Sequence, residues 1–365
     1  VLPGAFQWLR VQPNEITLER PYIKHNIEFT RRGFGLDKIE EKRYPVSDDF
    51  TRQDIKDNKE LFRNIRLWDW RALDSVYRQF QEIRLYYEFA DIDVDRYTYQ
   101  DEYRQVMVSA REIELSNLPP QSQTFVNKRF KYTHGIGITL NPVSEFTEEG
   151  LPNLLVKNIP PVSKYPELEV DQPRIYYGEL TDSHVIVNSK EKELDYPSGE
   201  ENVYFRYDGP GGVEISNTWR KFLFGWKFDG TRLFFSTYPT PESRIMFHRN
   251  IADRVKTIAP FLKFDDDPYT VLVNGKLYWI IDAYTISSNY PYSEPAKTQA
   301  RLNASEVGLI SSDGERQDLQ NINYIRNSVK TVIDAYTGEV NFYIYEEEDP
   351  LIRAWAKVFP NMFKN

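Results

Sequence analysis

The chain has 365 residues, 40% hydrophobic and 28% charged, with a net charge of -9, which describes a globular protein too long for a single hydrophobic core and expected to form two packed subdomains. The lack of cysteine excludes disulfide scaffolds, thiol nucleophiles and cysteine-ligated metal sites, and basic residues interspersed among acidic ones argue against nucleic acid as a partner. No apolar run reaches the roughly 18 residues of a membrane-spanning helix, and the chain starts at Val1 without a methionine or signal peptide, as an excised domain or mature fragment would.

In chain order, apolar Tyr22, Ile23, Ile27 and Phe29 predict a helix ending near Gly33 or Gly35, capped by Thr17 or Glu19 with Pro21 in its first turn. Lys38 to Asp49 reads as a loop, Thr51 opens a short helix, and Arg63 to Leu67 reads as a strand. Asp69 caps a helix to about Gln81 whose Leu73, Val76, Tyr77 and Phe80 form a core-facing stripe. Two aromatic strands, Ile83 to Phe89 and Tyr103 to Leu115, are joined by the acidic segment Asp91 to Tyr97. A helix around Ser122 to Tyr132 and an extended stretch to Pro142 complete a subdomain over residues 1–150, and prolines mark residues 151–166 as the connection.

The second subdomain, 167–365, reads as mainly β. Strands are expected at Arg174 to Tyr177, His184 to Asn188, Val203 to Tyr207 and Arg232 to Ser236, with one helix from Glu242 to Ile258. Asn274-Gly275 between two apolar runs predicts a tight hairpin. Asp282-Ala283-Tyr284-Thr285 recurs as Asp334-Ala335-Tyr336-Thr337, read as turn-forming corners or a repeated ligand or ion site. The fold class is therefore α+β, with mixed helices and mainly antiparallel sheets, rich in the 25 tyrosines that suit twisted, half-buried sheets and ligand grooves.

Several strings together resemble one family: Pro13-Asn14-Glu15 with Arg20-Pro21-Tyr22-Ile23, Asp93-Val94-Asp95-Arg96-Tyr97, Tyr132-Thr133-His134-Gly135, Asp267-Pro268-Tyr269 and Asp349-Pro350-Leu351-Ile352-Arg353. The set is similar to the uncharacterised protein family 0182 of bacteria and archaea. That resemblance implies a large extracytoplasmic domain tethered to the cell membrane by an N-terminal transmembrane region, and a C-terminal tail beyond Asn365. It brings no reaction, substrate or catalytic residue.

Two acidic clusters stand out as metal candidates. In the first, Asp91, Asp93 and Asp95 alternate along a strand and Glu102 falls at the twelfth place of a calcium-loop count, but Arg96 occupies the place of the required glycine. Calcium, arginine pairing and a solvated turn all stay open for it. The second, Asp265, Asp266 and Asp267, suits a hard cation or a solvent-facing turn. Ligand-binding candidates are Tyr132, His134, Asp282 and Asp334, His134 lying beside small residues that admit a ligand to the backbone. No hydrolase elbow, phosphate loop, dinucleotide fingerprint or zinc motif is present, and no cofactor other than calcium suggests itself. The expected function is binding of an envelope component or protein partner. The alternatives are an envelope hydrolase or transferase using paired carboxylates, and a calcium-sensing or transporter-associated domain.

Overall fold

The computed structural model describes residues 2–43, 49–199, 201–291, 293, 295 and 321–364. The chain divides into two compact units, Val1–Lys59 and Glu60–Asn365.

The first unit is helical. Short turns from Leu2 to Asn14 lead into α1 (Glu15–Gly33), and Thr51 closes a capping box with Asp54 at the start of α2 (Arg52–Asp57). Because α1 begins at Glu15, Pro21 falls in its second turn and not its first, and Asn14, not Thr17 or Glu19, stands at the cap. Of the predicted loop from Lys38 to Asp49, residues 44–48 lie outside the described residues.

The first long helix of the second unit is α3 (Trp70–Gln81), with Asp69 accepting from the Arg71 N–H as its cap. Leu73 and Tyr77 are buried as its periodicity predicts, whereas Phe80 points to solvent. The predicted strand from Arg63 to Leu67 does not form: Lys59–Arg63 is a helical turn, and the residues after it run as coil.

Two antiparallel sheets make the frame. The first has the order β1 (Tyr87–Phe89), β3 (Glu102–Ile113), β5 (Ile138–Pro142), β6 (Val156–Lys157) and β7 (Val162–Ser163), with β2 (Asp93–Tyr99) also on β3. The acidic segment read as a connection is thus largely strand, turning back through Gln100 and Asp101, both at positive φ. The proline-rich residues 151–166 lie inside this unit and supply β6 and β7. In the second sheet β16 (Lys276–Ser287) and β17 (Tyr324–Asp334) are the long central pair. They are flanked by β14 (Lys263–Phe264) and β15 (Tyr269–Val273) on one side, and by β18 (Val340–Ile344) and the parallel β19 (Phe363–Lys364) on the other. Asn274 and Gly275, at φ 49° and 72°, make the predicted hairpin turn between β15 and β16.

The two sheets share one core, in which Val106, Val108 and Leu140 of the first meet Leu272, Trp279, Ile281, Val329 and Ile333 of the second. Smaller pairings accompany them: β4 (Gly135–Ile136) with β8 (Arg174–Ile175), β10 (Glu193–Ser198) with β11 (Glu201–Phe205), and β9 (Val185–Val187) with β13 (Arg244–Met246) and β12 (Val213–Glu214).

Three further elements differ from the sequence expectation. Residues 231–235 are a helix, because Leu233 alone of that run is buried and the pattern has helical, not alternating, burial. The predicted helix from Glu242 is split into β13 and a helix that starts at Ile251, where Asn250 caps through the Asp253 N–H. The predicted helix around Ser122 to Tyr132 is shortened to a helical run over 125–131, which a separate 3-10 turn, Pro120–Ser122, precedes.

Candidate metal centre

The two acidic clusters of the sequence meet in space. Asp93 opens β2 and Asp91 lies two residues before it, while Asp267 sits two residues before β15 in the other sheet. One carboxylate oxygen from each of Asp91, Asp93 and Asp267 lies within 4.8 Å of the others.

The join is made by side chains of β2 capping the free edge of β15. That edge presents the N–H groups of alternate residues, and they donate to Asp93 Oδ2 (Thr270, 3.0 Å) and to the Tyr97 hydroxyl (Leu272, 2.8 Å). Ser109 on β3 fixes the approach to β2 by donating to the Asp91 carbonyl. Asp93 is thereby held at the seam between sheets, where its charge is poorly solvated.

The electrostatics follow. Burial, reinforced by the neighbouring Asp91 carboxylate, lifts the Asp93 carboxyl to about 8, against the downward pull of the Thr270 N–H. Burial and then Asp267 raise Asp91 to about 6. Deeper in, Glu112 of β3 is fully buried and accepts from the N–H groups of Glu179 and Leu180 (2.8 and 3.1 Å) and from the Thr181 hydroxyl (2.8 Å). Burial, then repulsion from Glu112, pushes Glu179 up to about 9, with Asp91, Asp93 and Asp267 adding to the effect. Among the described residues no ion pair reaches Asp91, Asp93, Asp95 or Asp267, so the arginine-pairing reading of the first cluster is not realised. A patch of carboxylates at this density, without a basic partner, carries either extra protons or a hard cation.

The other candidates go elsewhere. Asp95 accepts from the Arg96 N–H (2.7 Å) and is not part of the three-carboxylate group; β2 is a strand, so the calcium-loop count ending at Glu102 has no loop to describe. Asp265 takes the Tyr284 hydroxyl (2.7 Å), and Asp266 is exposed beside Lys256 (3.5 Å). Asp282 and Asp334 occupy unlike positions on two strands. Asp282, mid-strand in β16, pairs with Lys330 and Asn327. Asp334 ends β17 and accepts from the N–H groups of Tyr336 and Thr337 (2.9 and 2.8 Å), forming the turn into β18.

His134 is fully buried, its ring 4.7 Å from that of Tyr176. Its Nδ1 is 2.8 Å from the Thr133 hydroxyl, which donates to Glu193, and its Nε2 is 3.2 Å from Asp195. Arg174 grips the same Asp195 through two bonds of 2.8 and 2.7 Å. Burial works against the Asp195 charge, but the hydrogen bonds from His134 and Arg174 outweigh it and hold the carboxyl below its usual range. Tyr132 lies edge-on to Tyr86 at 5.1 Å, outside that network. Sequence reasoning does not single out Glu112, Glu179, Asp195 or Arg174; each is an isolated charge in an ordinary strand or loop, and only the fold brings them together.

Fold and site define an α+β domain whose most unusual chemical feature is an all-carboxylate group at the seam of two antiparallel sheets. The chain belongs to the uncharacterised protein family UPF0182, which matches residues 1–365. Similar proteins are the UPF0182 protein of Pelotomaculum thermopropionicum, 48% identical over 364 residues, and that of Trichodesmium erythraeum, 47% identical over 361. The UPF0182 protein of the archaeon Methanospirillum hungatei is 45% identical over 358 residues. These alignments cover 98 to 100% of this chain but only 37 to 39% of the relatives, so the chain spans about two fifths of their length. No solved structure matches it. Among the described residues, no helix is long and apolar enough to cross a membrane.

Proposed function

We propose that this domain binds a hard divalent cation, calcium by preference, through Asp91, Asp93 and Asp267. The observation that carries the reading is the convergence of three carboxylate oxygens within 4.8 Å from two segments distant in sequence, with no basic side chain paired to them among the described residues. Calcium accepts six to eight oxygens in an adaptable geometry, so three carboxylates with backbone carbonyls and water suit it better than they suit magnesium, which demands a near-ideal octahedron. The raised carboxyls of Asp91 and Asp93 support the same reading, since a cation would relieve the repulsion that burial intensifies. Asp91 and Asp267 are close enough to share a hydrogen bond, tighter than the ~5 Å or more between the carboxyl groups of a glycoside hydrolase.

The setting we propose is the extracytoplasmic part of a longer, membrane-tethered chain, in which cation binding stabilises the seam between the sheets and the domain engages an envelope component or protein partner. The family resemblance and the greater length of the relatives support it. The test is unfolding of chelator-treated protein with calcium or magnesium restored. A ligand that binds only the folded state raises the midpoint, by the equivalent of about 2.7 kcal/mol at a hundred times its Kd. A calcium-specific rise that vanishes in Asp91→Asn and Asp267→Asn supports the proposal, and no rise with either metal refutes it.

A further inference from the structure

Residues 218–235 form an aromatic face that nothing among the described residues covers. Asn217 caps the helix Thr218–Phe224 through the Arg220 N–H (2.9 Å), the helical run continues over Gly225–Asp229, and Thr231–Phe235 folds back after Gly230, at φ 60°. Its inner side is anchored: Phe224, Phe228 and Leu233 pack with Phe130, Ile186, Ile215 and Ile245. Its outer side is apolar too. Trp219 is 66% exposed, Trp226 81% and Phe235 73%, with Phe222 stacked 5.7 Å from Trp219 and Leu223 beside them. Burying the inner ridge accounts for Phe224 and Phe228 but leaves this second aromatic ridge in water, where large apolar side chains grouped together mark an interaction surface.

The charges around the ridge choose the partner. Arg220, Lys227 and Arg232 are exposed within the same eighteen residues. The single carboxylate of the segment, Asp229, is turned inward, where His184 and Arg129 hold it. Lys221 is drawn inward as well, donating to the Ser236 carbonyl. The outer face therefore presents tryptophan and phenylalanine with cations and no exposed carboxylate of its own. The segment is too short and too charged to span a bilayer. Tryptophan favours the headgroup level of a bilayer, and arginine and lysine beside it favour anionic lipid.

We propose that the face formed by Trp219, Phe222, Leu223, Trp226 and Phe235 docks into the interface of an anionic lipid bilayer, with Arg220, Lys227 and Arg232 contacting the headgroups. The proposal does not depend on the cation site, which lies on other elements of the fold.

Vesicle co-sedimentation of the 365-residue chain tests it, using phosphatidylcholine vesicles with and without phosphatidylserine. The chain is expected to bind the phosphatidylserine vesicles, with a blue shift of tryptophan emission and quenching by lipid brominated near the headgroup. Trp219→Ser with Trp226→Ser should abolish binding and quenching while leaving the urea midpoint unchanged, because both side chains are exposed. Lys227→Gln with Arg232→Gln should weaken binding about thirtyfold, from the per-charge attraction of an anionic surface. Absence of binding overturns the proposal, as does binding that the tryptophan pair leaves intact. A chain that is dimeric in solution and becomes monomeric in the tryptophan pair also overturns it, assigning the face to a second copy. Brominated-lipid quenching of the unmodified chain supplies a readout if the double variant fails to fold.

Discussion

Replacing Asp93 with asparagine should stabilise the metal-free protein at neutral and alkaline pH. The Asp93 carboxyl titrates at about 8 in the folded chain against 3.8 ordinarily, so between those values the native state holds a proton that the unfolded chain has released. The native state then binds more protons than the unfolded state, and stability falls as pH rises through that window. For one group the loss accumulated by pH 7 is about 4 kcal/mol, an upper bound because Asp91 titrates as part of the same group. An asparagine side chain has almost the same shape, keeps an oxygen for the Thr270 N–H and carries no charge, so Asp93→Asn should recover at least ~1 kcal/mol of that loss at pH 8 and change little at pH 4. Urea unfolding of both proteins in chelator at pH 4, 6 and 8 measures the difference. With calcium present the order should invert at pH 8, since only the parent sequence gains from the ion. An Asp93→Asn variant that is less stable than the parent at pH 8 in chelator would refute the reasoning, by showing that the carboxylate contributes native contacts worth more than its desolvation costs.

Calcium binding should displace protons from Asp91 and Asp93, so affinity should rise between about pH 6 and pH 8, and calorimetric enthalpies at pH 7 should vary with the ionisation enthalpy of the buffer. Arg174→Ala leaves buried Asp195 with the His134 contact alone and should cost about 3 kcal/mol in urea unfolding. The Asp195 carboxyl is lowered, so its stabilisation is present above the ordinary carboxylate range and is lost as pH falls through the lowered value, the opposite slope to that of Asp93. Gly338→Ala should destabilise by at least ~1 kcal/mol in the same assay, because φ is 72° and a Cβ there would stand 2.5 Å from the Tyr177 ring.

Local signals in the sequence locate the elements whose determinants are local. Thr51, Asp69 and the pair Asn274-Gly275 each specify a cap or turn within four residues, and each forms as read. Burial periodicity fails where one short run has two compatible readings: Arg232 to Ser236 is apolar enough for a strand, and only packing of Leu233 against Phe130 and Ile245 makes it a helix. The acidic residues show the same limit more sharply. Asp91 and Asp93 are visible as a cluster, and so is Asp267, but the spacing that joins Asp91, Asp93 and Asp95 misassigns the third member. The group is completed by the contact of β2 with β15, whose Thr270 lies 177 residues from Asp93, through hydrogen bonds that no sequence pattern announces. Glu179 and Glu112 are illegible for the same reason, their elevated proton affinity arising from mutual burial and not from neighbours in the chain.

The most direct test of the central claim is calorimetric titration of calcium into chelator-treated protein, run in parallel on the parent chain and on Asp267→Asn, Asp91→Asn and Asp95→Asn. The account predicts a single site that is lost in the first two variants and retained in Asp95→Asn, because Asp95 lies outside the three-carboxylate group. Loss of binding in Asp95→Asn with retention in Asp267→Asn would return the ion to a contiguous loop and contradict the seam between the sheets as its site; no heat of binding to the parent chain would contradict the site altogether.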